Sequence, residues 1–204
     1  MNEHEAVGDA RERLMDAAEA LFAPKGIAAV TLRDIAAALG LTHASLYYHF
    51  PGGKEELFAA VTERSILRHG EGLRSSMESG GPSIRGKLRG AAAWLLSQPA
   101  MDLIRMAETD MPALPPETSR RLMGLVYREL ILRLQRELDA AVRSGELGPG
   151  TDSGLVAGAL VGLVESLHST PPEALSPGRG RLEMARDLID IVLKGLDFHE
   201  GGRE

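Results

Sequence analysis

Apolar residues recur every three to four positions along almost the whole chain, and no stretch alternates with a period of two between hairpin turn residues. That pattern predicts helices throughout and no sheet. The first helix covers residues 9–23, where Leu14, Ala17, Ala18, Leu21 and Phe22 fall on one stripe. Pro24, Lys25 and Gly26 end it. Thr31-Leu32-Arg33-Asp34 is a capping signature, in which the Thr31 hydroxyl accepts from the free amide three residues on and Asp34 reaches back. A short helix follows, and Gly40 is placed to terminate it in the left-handed conformation. Thr42 restarts a helix that reaches about residue 49, and Pro51-Gly52-Gly53 breaks the chain again.

The remaining segments are longer. Helices are predicted over residues 54–78, 83–96, 101–108, 116–145, 151–169 and 181–198. Residues 79–82, 145–150 and 170–180 read as loops, the proline-rich run 111–116 as a turn, and residues 199–204 as a polar tail. The expected fold class is therefore all-α, with about nine helices.

Composition narrows the function classes. The chain has 204 residues, a net charge of −6, 44% hydrophobic and 25% charged residues, which suits an ordinary folded protein of one domain or two small ones. It has no cysteine, so disulfides, thiolate metal sites and cysteine nucleophiles are excluded. Residues 1–10 lack the basic flank and apolar core of a signal peptide. The longest apolar run, near residues 155–164, is interrupted by Gly158 and Gly162 and stops at Glu165, short of the ~20 residues a membrane span needs. A soluble, cytoplasmic protein with no membrane association is expected. No phosphate loop, dinucleotide fingerprint or nucleophile elbow is present, and the His168–Glu165 pair at helical spacing has no second pair to complete a metal site. Neither an enzyme nor a cofactor is expected.

The acidic balance argues at first against a nucleic-acid partner. The charge is uneven, however. Between residues 25 and 54 stand Lys25, Arg33 and Lys54 against Asp34 alone, a local +2, so the remainder carries −8. The same stretch, residues 31–50, reads helix, glycine turn, helix, the spacing of a helix-turn-helix whose second helix enters the major groove. Ile35, Ala36, Leu39, Leu46 and Phe50 would form its internal core. His43, Ala44, Ser45, Tyr47 and Tyr48 are left facing outward or sideways, with Tyr47 alternatively packed against the first helix. Two adjacent tyrosines, in a chain with three, offer flat apolar bodies and hydroxyls that reach phosphates.

The run Gly26, Thr31, Ile35-Ala36, Leu39-Gly40-Leu41-Thr42, Leu46-Tyr47-Tyr48-His49-Phe50 and Lys54-Glu55-Glu56-Leu57 resembles the DNA-binding domain of the TetR family of bacterial transcriptional regulators. The likeness covers residues 9–61. Most members place two residues between the phenylalanine and the lysine. Here Pro51-Gly52-Gly53 makes three, a variant form. The resemblance implies a DNA-binding domain over residues 1–61 and a helical ligand-binding and dimerisation domain over residues 62–204. It implies that Thr42, His43, Ala44 and Ser45 approach base edges: His43 donates to a guanine or phosphate acceptor, Ser45 serves either base type, and Ala44 meets a thymine methyl. Tyr47, Tyr48 and His49 would hold the sugar-phosphate backbone, with Thr31, Lys54 and Arg33 adding phosphate contacts. Each has an ordinary reading beside this one: Thr31 and Thr42 as helix caps, and His43 and Arg33 as solvated surface residues.

The second domain is less explicit. The helices at 151–169 and 181–198 interleave leucine and valine with Gly154, Gly158, Ala159 and Gly162, which suits a four-helix bundle with a second copy of the chain or, alternatively, an intrachain core. Trp94, Met101, Met106, Met123, Tyr127 and His168 are candidates to line a pocket for an unknown small-molecule effector, or to be core. By resemblance the protein is a ligand-responsive regulator bound to palindromic double-stranded operator DNA as a homodimer. A repressor is expected, with an activator or a helical ligand-binding module without DNA binding as alternatives.

Overall fold

The structure is a computed structural model that describes residues 3–171, 173 and 178–196. Among the described residues there are nine continuous helical segments and no strand. They are α1 (Glu3–Lys25), α2 (Leu32–Leu39), α3 (His43–His49), α4 (Gly53–Ser79), α5 (Ile84–Ser97), α6 (103–113), α7 (116–144), α8 (Ser153–Ser169) and α9 (Arg181–Leu196). The all-α expectation is met segment by segment. Residues 197 and 198 of the expected last helix, the tail 199–204 and much of the 170–180 loop lie outside the described residues.

Three details differ from the pattern-based expectation. Helix α1 starts at Glu3, six residues before the expected start at residue 9. Helix α6 is α-helical only over Leu103–Arg105, widens to a π-turn over Met106–Asp110 and tightens to a 3₁₀ turn over Met111–Ala113. The proline-rich run is thus partly helical, because proline is tolerated in a first helical turn where no N–H is needed. Helix α7 is continuous as expected but carries a π-turn at Tyr127–Ile131.

The chain divides into two units. One holds the segment up to Ile66 together with Met101–Leu125; the other holds Leu67–Ala100 and the residues from Val126 onward. The first unit buries Leu14, Ala18 and Phe22 of α1, Ile35 of α2, Leu46 of α3 and Leu57 and Phe58 of α4, with Phe22 and Phe58 edge to face at 5.1 Å. Arg64 on α4 reaches Glu12, Asp16 and Glu19 of α1 at 2.8, 2.8 and 2.9 Å, tying the two helices along their length.

The second unit buries Leu88, Ala92 and Leu95 of α5 with Leu134 and Leu138 of α7, Val156, Leu160 and Val164 of α8, and Ala185, Ile189 and Leu193 of α9. Arg89 and Asp190 pair at 2.8 Å, and Arg181 donates to the Leu167 and Thr170 carbonyls at 2.7 and 2.9 Å, closing the last turn of α8. Helix α8 has a second apolar side as well. Leu155 is 70% exposed and Leu163 36%, and Ala159 and Gly162 on the same side are also exposed. On α9, Ile191 is 65% exposed. Among the described residues no helix is long and apolar enough to cross a membrane.

Candidate nucleic-acid interface

The helix-turn-helix is fixed by local chemistry. Thr31 caps α2 in a reciprocal box: its hydroxyl oxygen accepts from the Asp34 amide at 3.2 Å, and the Asp34 carboxylate accepts from the Thr31 amide at 2.9 Å. The Thr31 hydroxyl also donates to Asp34 at 2.7 Å. These bonds to Thr31 hold the Asp34 carboxyl below its ordinary value of 3.8. Gly40 closes α2 at φ +64°, and Leu41 N–H returns to the Ala36 carbonyl at 2.9 Å. Thr42 then caps α3, accepting from the Ser45 amide at 3.2 Å. Both sequence-predicted caps are present.

Beneath the motif, Ile35, Ala36, Leu46 and Phe50 are buried as expected, whereas Leu39 is only half-buried. Arg11 of α1 lies over the Phe50 ring, 4.6 Å from its centroid. The Pro51-Gly52-Gly53 turn closes through Gly53 N–H to the Phe50 carbonyl at 2.9 Å, with Gly53 at φ +69°. The Glu56 carboxylate accepts from the Gly52 amide at 2.6 Å and so braces the start of α4.

The outward side of α3 carries what remains. Tyr48 is 72% exposed and Tyr47 43%. His43 and Ala44 are exposed, while Ser45 and His49 are half-buried. The His43 ring stands edge-on to Tyr47, and His49 edge-on to Tyr48, each pair 5.1 Å apart. Outside its buried Leu46 side the helix therefore offers the hydroxyls of Ser45, Tyr47 and Tyr48, the imidazoles of His43 and His49 and the Ala44 methyl. Thr31 and Arg33 are exposed on α2. Lys54 is half-buried, and its ammonium donates to the Ile27 carbonyl at 2.9 Å.

The six candidate pocket residues divide between the two units. Met101 and Met106 are buried in the first, and Met123 is partly exposed there. In the second, Trp94 lies against the α4 backbone at Gly72, His168 donates from Nε2 to the Leu95 carbonyl at 3.2 Å, and Tyr127 is 51% exposed on the π-turn of α7. The Trp94 indole N–H has no hydrogen-bond partner. An apolar cavity of about 10 Å³ lies among Leu88, Leu95, Leu134, Leu160, Val164 and Ile189, and none of the six lines it. It has room for about one water molecule, against the ~300–1,000 Å³ of ligand pockets.

Two residues of α6 were visible in the sequence but not their use: Arg105 and Asp110. They lie five apart, a spacing that a regular helix puts on different faces and a π-turn brings together. Both reach the end of α1.

Residues 14–61 match the family model described as bacterial regulatory proteins, tetR family. The chain is 48% identical over 57 residues to the HTH-type transcriptional regulator LmrA of Bacillus subtilis, covering 28% of this chain and 30% of that protein. It is 52% identical over 80 residues to the HTH-type transcriptional repressor KstR2 of Rhodococcus jostii, covering 34% and 38%. The likeness thus spans about a third of the length of these relatives. Solved structures match over nearly the whole chain. The fatty acid degradation regulator FadR from Bacillus halodurans aligns with a TM-score of 0.71 at 18% identity, covering 93% of this chain and 97% of that one. The TetR family regulator PfmR from Thermus thermophilus aligns at 0.62 and 26% identity, covering 90% and 98%. The fold is shared with such regulators: an N-terminal helix-turn-helix domain followed by a helical C-terminal domain.

Proposed function

We propose that the chain is a DNA-binding transcriptional regulator of the TetR type, a homodimeric repressor whose operator affinity is controlled by a small molecule. The observation that carries this is the exposed face of α3. Tyr48 at 72% exposure and Tyr47 at 43% project from a capped helix on a buried Leu46–Phe50 floor, inside the segment that matches the tetR model. Large aromatic residues left in water on a rigid helix need a partner surface, and the local +2 charge suits a phosphate backbone. In this reading Thr42, His43, Ala44 and Ser45 face base edges. Tyr47, Tyr48 and His49 hold the backbone, and Thr31, Arg33 and Lys54 add phosphate contacts.

Residues 1–61 are the DNA-binding domain and residues 62–204 the regulatory one. Dimerisation through 151–169 and 181–198 is supported by the second apolar side of α8 and by Ile191, which water would otherwise cover. A dimer presents two copies of α3 to half-sites about one turn, ~34–36 Å, apart, which makes the operator palindromic. An effector bound among the helices of the regulatory domain biases the dimer away from the operator-competent state, with α4, one uninterrupted helix from Gly53 to Ser79, as carrier. The 10 Å³ cavity is too small for such an effector as it stands, so binding at that place requires side chains to move.

Selection from a random duplex pool with the purified chain tests the proposal. An enriched inverted repeat with half-sites one turn apart supports it. A pool that stays unenriched, with scrambled duplexes binding equally well, contradicts it.

A further inference from the structure

Helix α1 ends in an unusual way. Gly26 N–H closes the last backbone bond, to the Phe22 carbonyl at 2.7 Å. One step further, the Ile27 amide would close on the Ala23 carbonyl if the helix continued. Instead, two side chains of α6 take those groups. Arg105 Nη2 donates to the Ala23 carbonyl at 2.7 Å, and Asp110 Oδ1 accepts from the Ile27 amide at 2.9 Å. Arg105 Nε completes the bridge to Asp110 Oδ2 at 3.3 Å. The π-turn at Met106–Asp110 brings the two side chains to one face. Asp110 is 3% exposed, and Gly26 makes room for it: Gly26 sits at φ +74°, and a Cβ there would lie 2.6 Å from Asp110 Oδ1.

Ile27 is held from its other polar group as well. Lys54 Nζ donates to the Ile27 carbonyl at 2.9 Å. Lys54 belongs to the first turn of α4, directly behind the turn that closes α3. An ammonium has three donors, and Ile27 uses one.

We infer that Asp110 and Arg105 are positioning residues for DNA binding. By fixing Ile27 they fix the Lys54 ammonium, on the helix whose first residue, Gly53, lies against the Tyr47 ring of α3, with donors left over for a phosphate. This rests on the reading of α2–α3 as a duplex-binding motif. The strap 103–113 is then a control point on the interface: any displacement of α6 loosens Ile27 and with it Lys54. The contribution of Lys54 to operator binding depends on Asp110, although the two act on opposite polar groups of a third residue.

The test is a double-mutant cycle on the full chain and a duplex carrying the selected inverted repeat, read as dissociation constants across a salt series. Lys54→Met is expected to weaken wild-type binding by about fivefold and to lower the salt slope by about one, as loss of one charge-assisted phosphate contact does. In the Asp110→Ala background the same change is expected to cost less than about twofold, because the ammonium is already unplaced. Asp110→Asn keeps an oxygen acceptor for the Ile27 amide and restores most of the Lys54 effect. Equal costs of Lys54→Met in both backgrounds would overturn the inference. Should Asp110→Ala fail to fold by circular dichroism, Arg105→Gln takes its place in the cycle with the same two outcomes. A wild-type chain that binds the selected and a scrambled duplex alike overturns the DNA reading itself, an outcome distinct from an additive cycle.

Discussion

Gly72→Ala sets two opposed effects against each other, and the structure decides between them. Gly72 lies inside α4, where alanine is favoured over glycine by about 1 kcal/mol in an open helix. Here the position is not open. A Cβ would meet Trp94 Cε2, Cζ2 and Nε1, well inside the 3.0 Å that real Cβ atoms do not breach. The obstacle is a rigid indole rather than the end of a flexible chain, so Trp94 has to leave its seat on the helix. Overpacking of this kind costs about 1–3 kcal/mol, and lost burial of the ring adds to the upper end of that range. The net expectation is destabilisation by about 1–2 kcal/mol, which lowers a urea midpoint by about half a molar. Trp94 is the one tryptophan in the chain, so its emission reports the displacement directly and is expected to shift to the red. Trp94→Leu makes room for the new methyl, and in that background Gly72→Ala should lose most of its cost. A midpoint that rises with unchanged emission would refute the reasoning, because helix propensity would then be the larger effect.

Three further outcomes are expected. Thr42→Ala removes the side-chain cap of the seven-residue α3 and should cost about 1 kcal/mol in urea unfolding, with Thr42→Ser near wild type; equal loss in both would place the effect elsewhere. Asp34 has a lowered folded value, so its stabilising contribution is present above the ordinary 3.8 and is lost as pH falls below it. Asp34→Asn should flatten that acid limb of the stability profile, and an unchanged limb would speak against the capping box as its source. Leu155→Glu, at a position 70% exposed, should leave the helical content intact while converting a dimer to a monomer by light scattering; a variant that stays dimeric would remove α8 from the interface.

Much of the fold was legible because the devices that set it are local. Thr31 with Asp34, Gly40, Thr42 and the Pro51–Gly53 break each act within a few residues, and each performs the role its spacing announced. The amphipathic period then placed Leu14, Ile35, Leu46 and Phe50 inside. What escaped has a common cause. A 3.6-residue period has no register for a π-turn, so the widened turns at Met106–Asp110 and Tyr127–Ile131 left no mark in the pattern. Arg105 and Asp110 are ordinary surface charges by spacing and become a clamp only through such a turn. The bond from Lys54 to Ile27 crosses 27 residues and depends on tertiary packing. Methionine and aromatic residues were ambiguous from the start. Met101 and Met106 are buried, Trp94 packs on a helix backbone, and the six pocket candidates divide between two units.

The central claim, that the exposed face of α3 reads duplex DNA, is tested most directly by Tyr48→Ala in a binding titration on the selected duplex. Tyr48 is 72% exposed, so its removal should change stability by no more than about 0.5 kcal/mol. The account predicts an unchanged urea midpoint together with operator affinity weakened by about tenfold or more, equivalent to about 1.4 kcal/mol. Wild-type affinity in the folded variant would contradict it.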